Sequence, residues 1–176
     1  MGKLNRERGD TMLIIFCAEL EEAQHIKCPE AKIIITGAGL CNVIQTPRIN
    51  VNPGDTLINI GYAGSTEHPV GEVRTVNACR RLKASKTVKE HIIYTDKIKS
   101  LASAVCHTAD DFVDRDEVKG ALLPLVDMEL YYLASIYPQM RAIKIISDNL
   151  SYNDYKECNL ETSWTFVNTI LNEWNI

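Results

Sequence analysis

At 176 residues, 45% of them hydrophobic and 24% charged, the chain has the size and composition of one globular domain with its own core. A net charge of −4 and a pI near 5.6 argue against nucleic acid as the main partner, because such binders usually carry a basic face. Six cysteines, at positions 17, 28, 41, 79, 106 and 158, form no CxxC and no zinc-spaced run, so they read as free thiols in a reducing cytosol; a polar N-terminus and the lack of an apolar run of ~20 residues add no leader or membrane span, and the chain reads as soluble and cytoplasmic.

Residues 1–10 read as a flexible lead-in. MLIIFCA (12–18) is continuous and β-branched, as expected of a strand buried on both faces. ELEEAQHI (19–26) predicts a helix whose early acids favour its dipole. KIIITGAG (32–39) predicts a second buried strand running into glycines, and DTLINIGYAGS (55–65) repeats that design. GEVRTVNAC (71–79) and HIIYTD (91–96) predict short, weaker strands, while KIKSLASAVC (97–106) fits a strand or a helix. The cluster Arg80, Arg81, Lys83, Lys86 and Lys89 between them reads as a solvated surface. LVDMELYYLASIY (125–137) has helical apolar spacing at Leu125, Met128, Tyr132 and Ile136. MRAIKIISDN (140–149) predicts a strand with a polar end. NLETSWTFVNTILNEW (159–174) predicts an amphipathic helix with Trp164, Val167, Ile170, Leu171 and Trp174 on one face. The alternation defines a single α/β domain with a mostly parallel or mixed central sheet flanked by helices.

Ligands of such sheets gather at the carboxyl ends of the strands, which selects AELEE, TGAG, GYAGS and SDN. TGAGLCNV (36–43) offers backbone N–H groups to an anion or a ribose, but Asn42 stands where the third glycine of GxGxxG would be, and a plain tight turn explains it as well. NIGYAGS (59–65) is a second such turn. VDMEL (126–130) places two carboxylates two residues apart; on a regular helix they diverge, and alone they read as a solvated helix start. The Asp of IISDN (145–149) alone reads as a turn or cap, and Glu19, Glu21 and Glu22 as a favourable first helical turn.

The order of these pieces carries more than any one of them. AELEEA, TGAGLCNV, NIGYAGS, DDFV, VDMEL and KIISDN, taken in sequence, resemble the methylthioadenosine / adenosylhomocysteine nucleosidases of the purine nucleosidase / nucleoside phosphorylase superfamily. The resemblance covers most of residues 12–150, with VDME and ISD its specific part. It implies a nucleoside phosphorylase-like domain over 11–176 and a nucleosidase acting on a purine nucleoside or thio-nucleoside. Cleaving an N-ribosidic bond requires a proton on the departing base and a grip on a sugar that becomes cation-like. By position, the resemblance makes Asp148 the acid beside the base, with Ser147 orienting it. Glu129 takes the ribose hydroxyls, Met128 packs on the sugar, and Phe112 lies along the base with backbone contacts from Val113. Ala38, Gly39, Gly61, Tyr62 and Ala63 supply the glycine-turn walls. An early glutamate activates water: the apolar positions that follow favour Glu22, and gap-free counting favours Glu21.

Related phosphorylases carry an Arg in the strand before the GTxG turn, where this chain has Asn59, so water is preferred to phosphate as nucleophile. Arg48 could reach a phosphate in a phosphate-dependent alternative, but nothing in its context, TPRINVNPG, demands it. The chain departs from the pattern at Phe16, Tyr62 and Ser65, where small residues are usual, and in shortened segments after Glu22 and between GEV and TADDF. Those departures keep a third reading open, a non-catalytic nucleoside-binding protein. The resemblance further implies a homo-oligomer, a dimer in the simplest case, with no cofactor and no metal.

Overall fold

The computed structural model describes residues 11–82 and 91–173. The lead-in expected over 1–10, Lys83, Lys86 and Lys89 of the basic cluster, and Trp174 lie outside the described residues. In chain order the elements are β1 (Leu13–Cys17), α1 (Leu20–His25), β2 (Lys32–Ile35), α2 (Leu40–Gln45), β3 (Thr56–Gly64), β4 (Val73–Arg81), β5 (Ile92–Tyr94), β6 (Ser103–Thr108), β7 (Leu125–Asp127), α3 (Leu130–Ile136), β8 (Arg141–Asp148), α4 (Tyr152–Glu157) and α5 (Glu161–Glu173).

All five residues of β1 are buried, and the pleat divides them between two cores. Ile14 and Phe16 join Val43 of α2 and Leu130 and Leu133 of α3 on one face. Leu13, Ile15 and Cys17 join Trp164, Val167, Ile170 and Leu171 of α5 on the other. Helices therefore cover both faces of the sheet. Each large apolar side chain that α5 removes from water contributes about 1.5–3 kcal/mol.

The parallel set β2-β1-β3-β8 runs one way. β4 lies antiparallel to β8, and β6 and β7 run with β4. The end of β3 then meets β7 antiparallel at Gly64↔Val126, so β3, β8, β4, β6 and β7 close a ring of pairings. The mixed sheet expected from the alternation is the one observed.

Three elements differ from expectation, one open reading is resolved and one helix is unanticipated. β2 is not buried: among the described residues it is the last strand of the sheet and pairs only with β1, and it leaves Ile33 and Ile35 exposed. β4 is not short; three partners (β5, β6 and β8) hold it through Arg81. The 97–106 segment resolves into a loop and strand β6. The helix expected over 125–137 starts only at Leu130, because Leu125–Asp127 pairs with Cys106–Thr108 of β6. The short helix α4 follows Asp148 and had no counterpart in the sequence reading.

Candidate active site

The ends of β1, β3, β7 and β8 converge on a cavity of about 200 Å³. Glu22, Glu129 and Asp148 all line it, together with Ala38, Tyr62, Ala63, Phe112, Met128 and Ser147. Gly39 and Gly61 do not line it but back the side chains of Met128 and Glu22 that do, and Val113 lines a small adjoining recess with Phe112 and Asp148. Of the two early glutamates, Glu22 lines this cavity and is 3% exposed, whereas Glu21 is exposed and lines a different cavity.

Glu22 sits at the third position of α1. Its Oε2 accepts from the backbone N–H of Ala18 (2.8 Å) and of Glu19 (3.0 Å), closing the start of the helix from within. Its Oε1 accepts from the N–H of Tyr62 (2.8 Å). A Cβ on Gly61 would stand 2.7 Å from that Oε1, so the glycine is what lets the carboxylate lie flat on β3. Burial raises the proton affinity of Glu22, and the three N–H donors and Lys144 oppose the rise.

The VDME segment straddles the end of β7 and the start of α3, which turns both of its acids inward. Asp127 is held by three partners. Its Oδ1 takes the Thr108 hydroxyl (2.6 Å), and its Oδ2 takes the Leu130 N–H (3.0 Å) and pairs with Lys144 Nζ (2.6 Å). Glu129 is less committed: Gly39 N–H reaches Oε1 at 3.3 Å, and Lys144 Nζ stands 4.0 Å from Oε2. Gly39 adopts φ +85°, a conformation that glycine tolerates and that points its N–H at the carboxylate. Burial holds Glu129 well above the usual carboxylate range; Lys144 pulls it back, and the neighbouring Asp127 and Glu22 push it further up.

Asp148 ends β8. Ser147 Oγ donates to its Oδ2 (2.6 Å), and Ser151 N–H donates to Oδ1 (3.2 Å). Leu150, next but one along, is held at φ +60°. A bulky residue is rarely found there, and the strain costs about 1–3 kcal/mol. Burial raises the proton affinity of Asp148, opposed by its bonds from Ser147, Ser151 and Leu150. Ser147 Oγ also faces the Ala63 carbonyl at 3.4 Å. When Asp148 carries a proton, its hydroxyl can donate to Ser147, which passes its own hydrogen to Ala63.

The bulky departures from the expected pattern do not fill the cavity. Phe16 is buried in the core against Tyr137, with ring centroids 5.3 Å apart. The Tyr62 hydroxyl accepts from Trp164 Nε1 (2.9 Å), which turns the ring toward α5. Ser65 acts as a turn cap, its Oγ accepting from the N–H groups of Glu67 and His68. Sequence reasoning passed over Asp127, Lys144, Tyr152 and Tyr155. A lysine inside the apolar run AIKII was the available signal for one of them.

A larger cavity of about 560 Å³ lies between α1 and α5, bordered by Glu21, His25, Tyr62, Lys156 and Trp164. It gathers no buried acids. Converging desolvated carboxylates mark chemistry more specifically than volume does, so the smaller cavity is the candidate site.

A mixed sheet closed by β7 and β8, with the site at its strand ends, is the nucleoside phosphorylase-like fold. A variant of the Chlamydia trachomatis protein CT263 (MTAN), bound to MTA, superposes with a TM-score of 0.72 at 18% identity, covering 94% of this chain and 99% of that one. The Helicobacter pylori 5'-methylthioadenosine/S-adenosyl homocysteine nucleosidase gives 0.69 at 14% identity (93% and 98% covered). The futalosine hydrolase of Helicobacter pylori gives 0.67 at 15% identity (93% and 98% covered). Each alignment spans nearly all of both chains, so the segments that look shortened in sequence leave the fold intact. No family model and no curated protein matches the chain.

Proposed function

We propose that the protein is a nucleosidase that hydrolyses the N-ribosidic bond of a purine nucleoside or thio-nucleoside of the methylthioadenosine / adenosylhomocysteine kind. The observation that carries this reading is the placement of Glu22, Glu129 and Asp148, all buried, around one cavity. The structural neighbours supply support from outside the chain, since one is bound to MTA and another to adenine.

In this reading the base lies along Phe112 beside Asp148, and Val113 completes the recess at its edge. Asp148, whose burial favours the protonated form, gives its proton to the departing ring, and Ser147 holds the carboxyl in line. Glu129 accepts the sugar hydroxyls while Met128 covers the ring. Glu22 draws a proton from the attacking water as the C–N bond opens. The walls at Ala38, Gly39, Gly61 and Ala63 bring backbone close to the sugar because small residues stand there, and the Tyr62 ring between them is turned toward α5. These roles use no cofactor and no metal.

Water is preferred to phosphate because no Arg or Lys among the described residues lines the cavity. Asn59 is buried between strands, donating to the Phe16 carbonyl (3.2 Å), and Arg48 is exposed. A phosphate-dependent phosphorylase is the second reading. The exposed Ile33 and Ile35 on the sheet edge and Ile44 on α2 support a homodimer, checked by light scattering: a mass of one 19.8 kDa chain would refute it. Six free thiols fit a soluble cytoplasmic protein.

The test is release of free base from a panel of nucleosides, with and without phosphate. Asp148→Asn is expected to lower release by ~100–10,000-fold. Unchanged turnover in that variant would overturn the assignment, and a strict need for phosphate would favour the phosphorylase.

A further inference from the structure

Lys144 is the charged group that the proposed mechanism leaves unused. It lies in the middle of β8, paired with Gly61 of β3 and Arg74 of β4, and it is fully buried. A lysine is almost never enclosed unless something in the interior needs its charge.

Its surroundings come from six elements. Asp127 at the end of β7 holds the ammonium at 2.6 Å, and Glu129 at the start of α3 faces it at 4.0 Å. Glu22 of α1 feels its charge across the gap left by Gly61. Three thiols, Cys17, Cys79 and Cys106, lie within its field, and burial keeps all three protonated. Arg74, its register partner, is committed to Glu72. One cation therefore serves three buried carboxylates, which together cannot all shed their protons in a water-poor interior.

The anchoring settles which acid benefits. Asp127 is tied by Thr108, Leu130 and Lys144 together, three partners that fix both of its oxygens. Thr108 is itself fixed, because its oxygen accepts the N–H of Tyr131 (3.0 Å). Asp127 thus fixes where the ammonium stands. The ammonium makes no well-directed hydrogen bond among the described residues, which leaves its charge and its N–H groups available toward Glu129.

We infer that Lys144 is a positioning residue for the sugar-binding acid: held through Asp127, its ammonium keeps Glu129 in the ionised, accepting form that a ribose diol requires. This rests on the nucleosidase reading, in which Glu129 grips the sugar. The sign follows from charge. An ionised Glu129 makes activity rise with pH through the titration of that group. A neutral residue at 144 removes the larger of the two influences that pull its proton affinity down, the other being the Gly39 N–H, so the rise moves to higher pH.

The experiment compares Lys144→Met and Lys144→Arg by the pH profile of kcat/KM and by separate kcat and KM. Lys144→Met is expected to shift the acid limb upward by about one unit or more, a tenfold loss for each unit at a fixed pH on that limb, with KM carrying much of the loss. Lys144→Arg is expected to restore most of it. An unmoved acid limb in Lys144→Met, or no rescue by Arg, would overturn the inference. Should Lys144→Met fail to fold, Lys144→Gln removes the same charge with a polar side chain and carries the same expectation. If the wild-type protein cleaves no nucleoside, the nucleosidase reading fails on its own. Infrared titration of the Glu129 carboxyl, assigned by its loss in Glu129→Gln, then decides the point without substrate: an unchanged titration in Lys144→Met or Lys144→Gln refutes the role, and an upward shift supports it.

Discussion

The two cavities that meet at Tyr62 and Tyr155 are built on opposite principles. The one between α1 and α5 is large, about 560 Å³, and its charged groups, such as Glu21 and Lys156, stand in water. The one at the strand ends is less than half that volume, yet it collects Glu22, Glu129 and Asp148 from α1, the start of α3 and the end of β8. Each of those acids gives up hydration that its hydrogen bonds only partly replace, and each holds its proton more tightly as a result. A fold accepts that cost where a proton has to be held or moved. Cavity size records where the packing failed to close, and desolvated charge records what a site can do.

That contrast can be broken hardest at Glu22. Glu22→Gln keeps the shape but leaves one acceptor oxygen where two carboxylate oxygens meet three backbone N–H groups. Its NH2 must face at least one of those donors, which is expected to cost about 1–3 kcal/mol of stability. Loss of the base is expected to lower nucleoside cleavage by ~100-fold or more. Thermal melting and base release measured on the same sample separate the two effects. A variant that melts lower but cleaves at the wild-type rate would make Glu22 a structural cap of α1 and nothing more.

How far the sequence already contained this contrast differs between the two halves of the site. β-branched runs announced β1, β3 and β8 because strands buried on both faces need continuous apolar sequence. Motif order pointed to Asp148 and Glu129. What stayed hidden was decided by partners distant in the chain. Nothing local says that Leu125–Asp127 will pair with β6 and not start a helix, and that pairing is what turns Asp127 toward Lys144. The choice of Glu22 over Glu21 likewise depends on the face of α1 that meets Gly61 on β3. The exposure of β2 depends on sheet order, to which a four-residue apolar strand is blind. Residues whose role comes from local chemistry were legible, and residues whose role comes from register were not.

The smallest effect tests whether the two cavities are independent. Trp164 belongs to the larger one: it stacks on His25 with ring centroids 5.2 Å apart and donates to the Tyr62 hydroxyl. Tyr62 also reaches the other cavity through its backbone, where its N–H donates to Glu22. Trp164→Phe deletes the side-chain bond and some packing while leaving that N–H in place, since β3 holds the Tyr62 backbone in register with Ile145 of β8. The expected outcome is a loss of about 1–2 kcal/mol in stability. The pairing of β3 with β8 insulates Glu22, so kcat/KM for the nucleoside is expected to stay within about threefold, a barrier change of under ~1 kcal/mol. A tenfold fall in a variant that still folds would mean that the ring of Tyr62, and not only its backbone, positions Glu22, and the larger cavity would then belong to the working site.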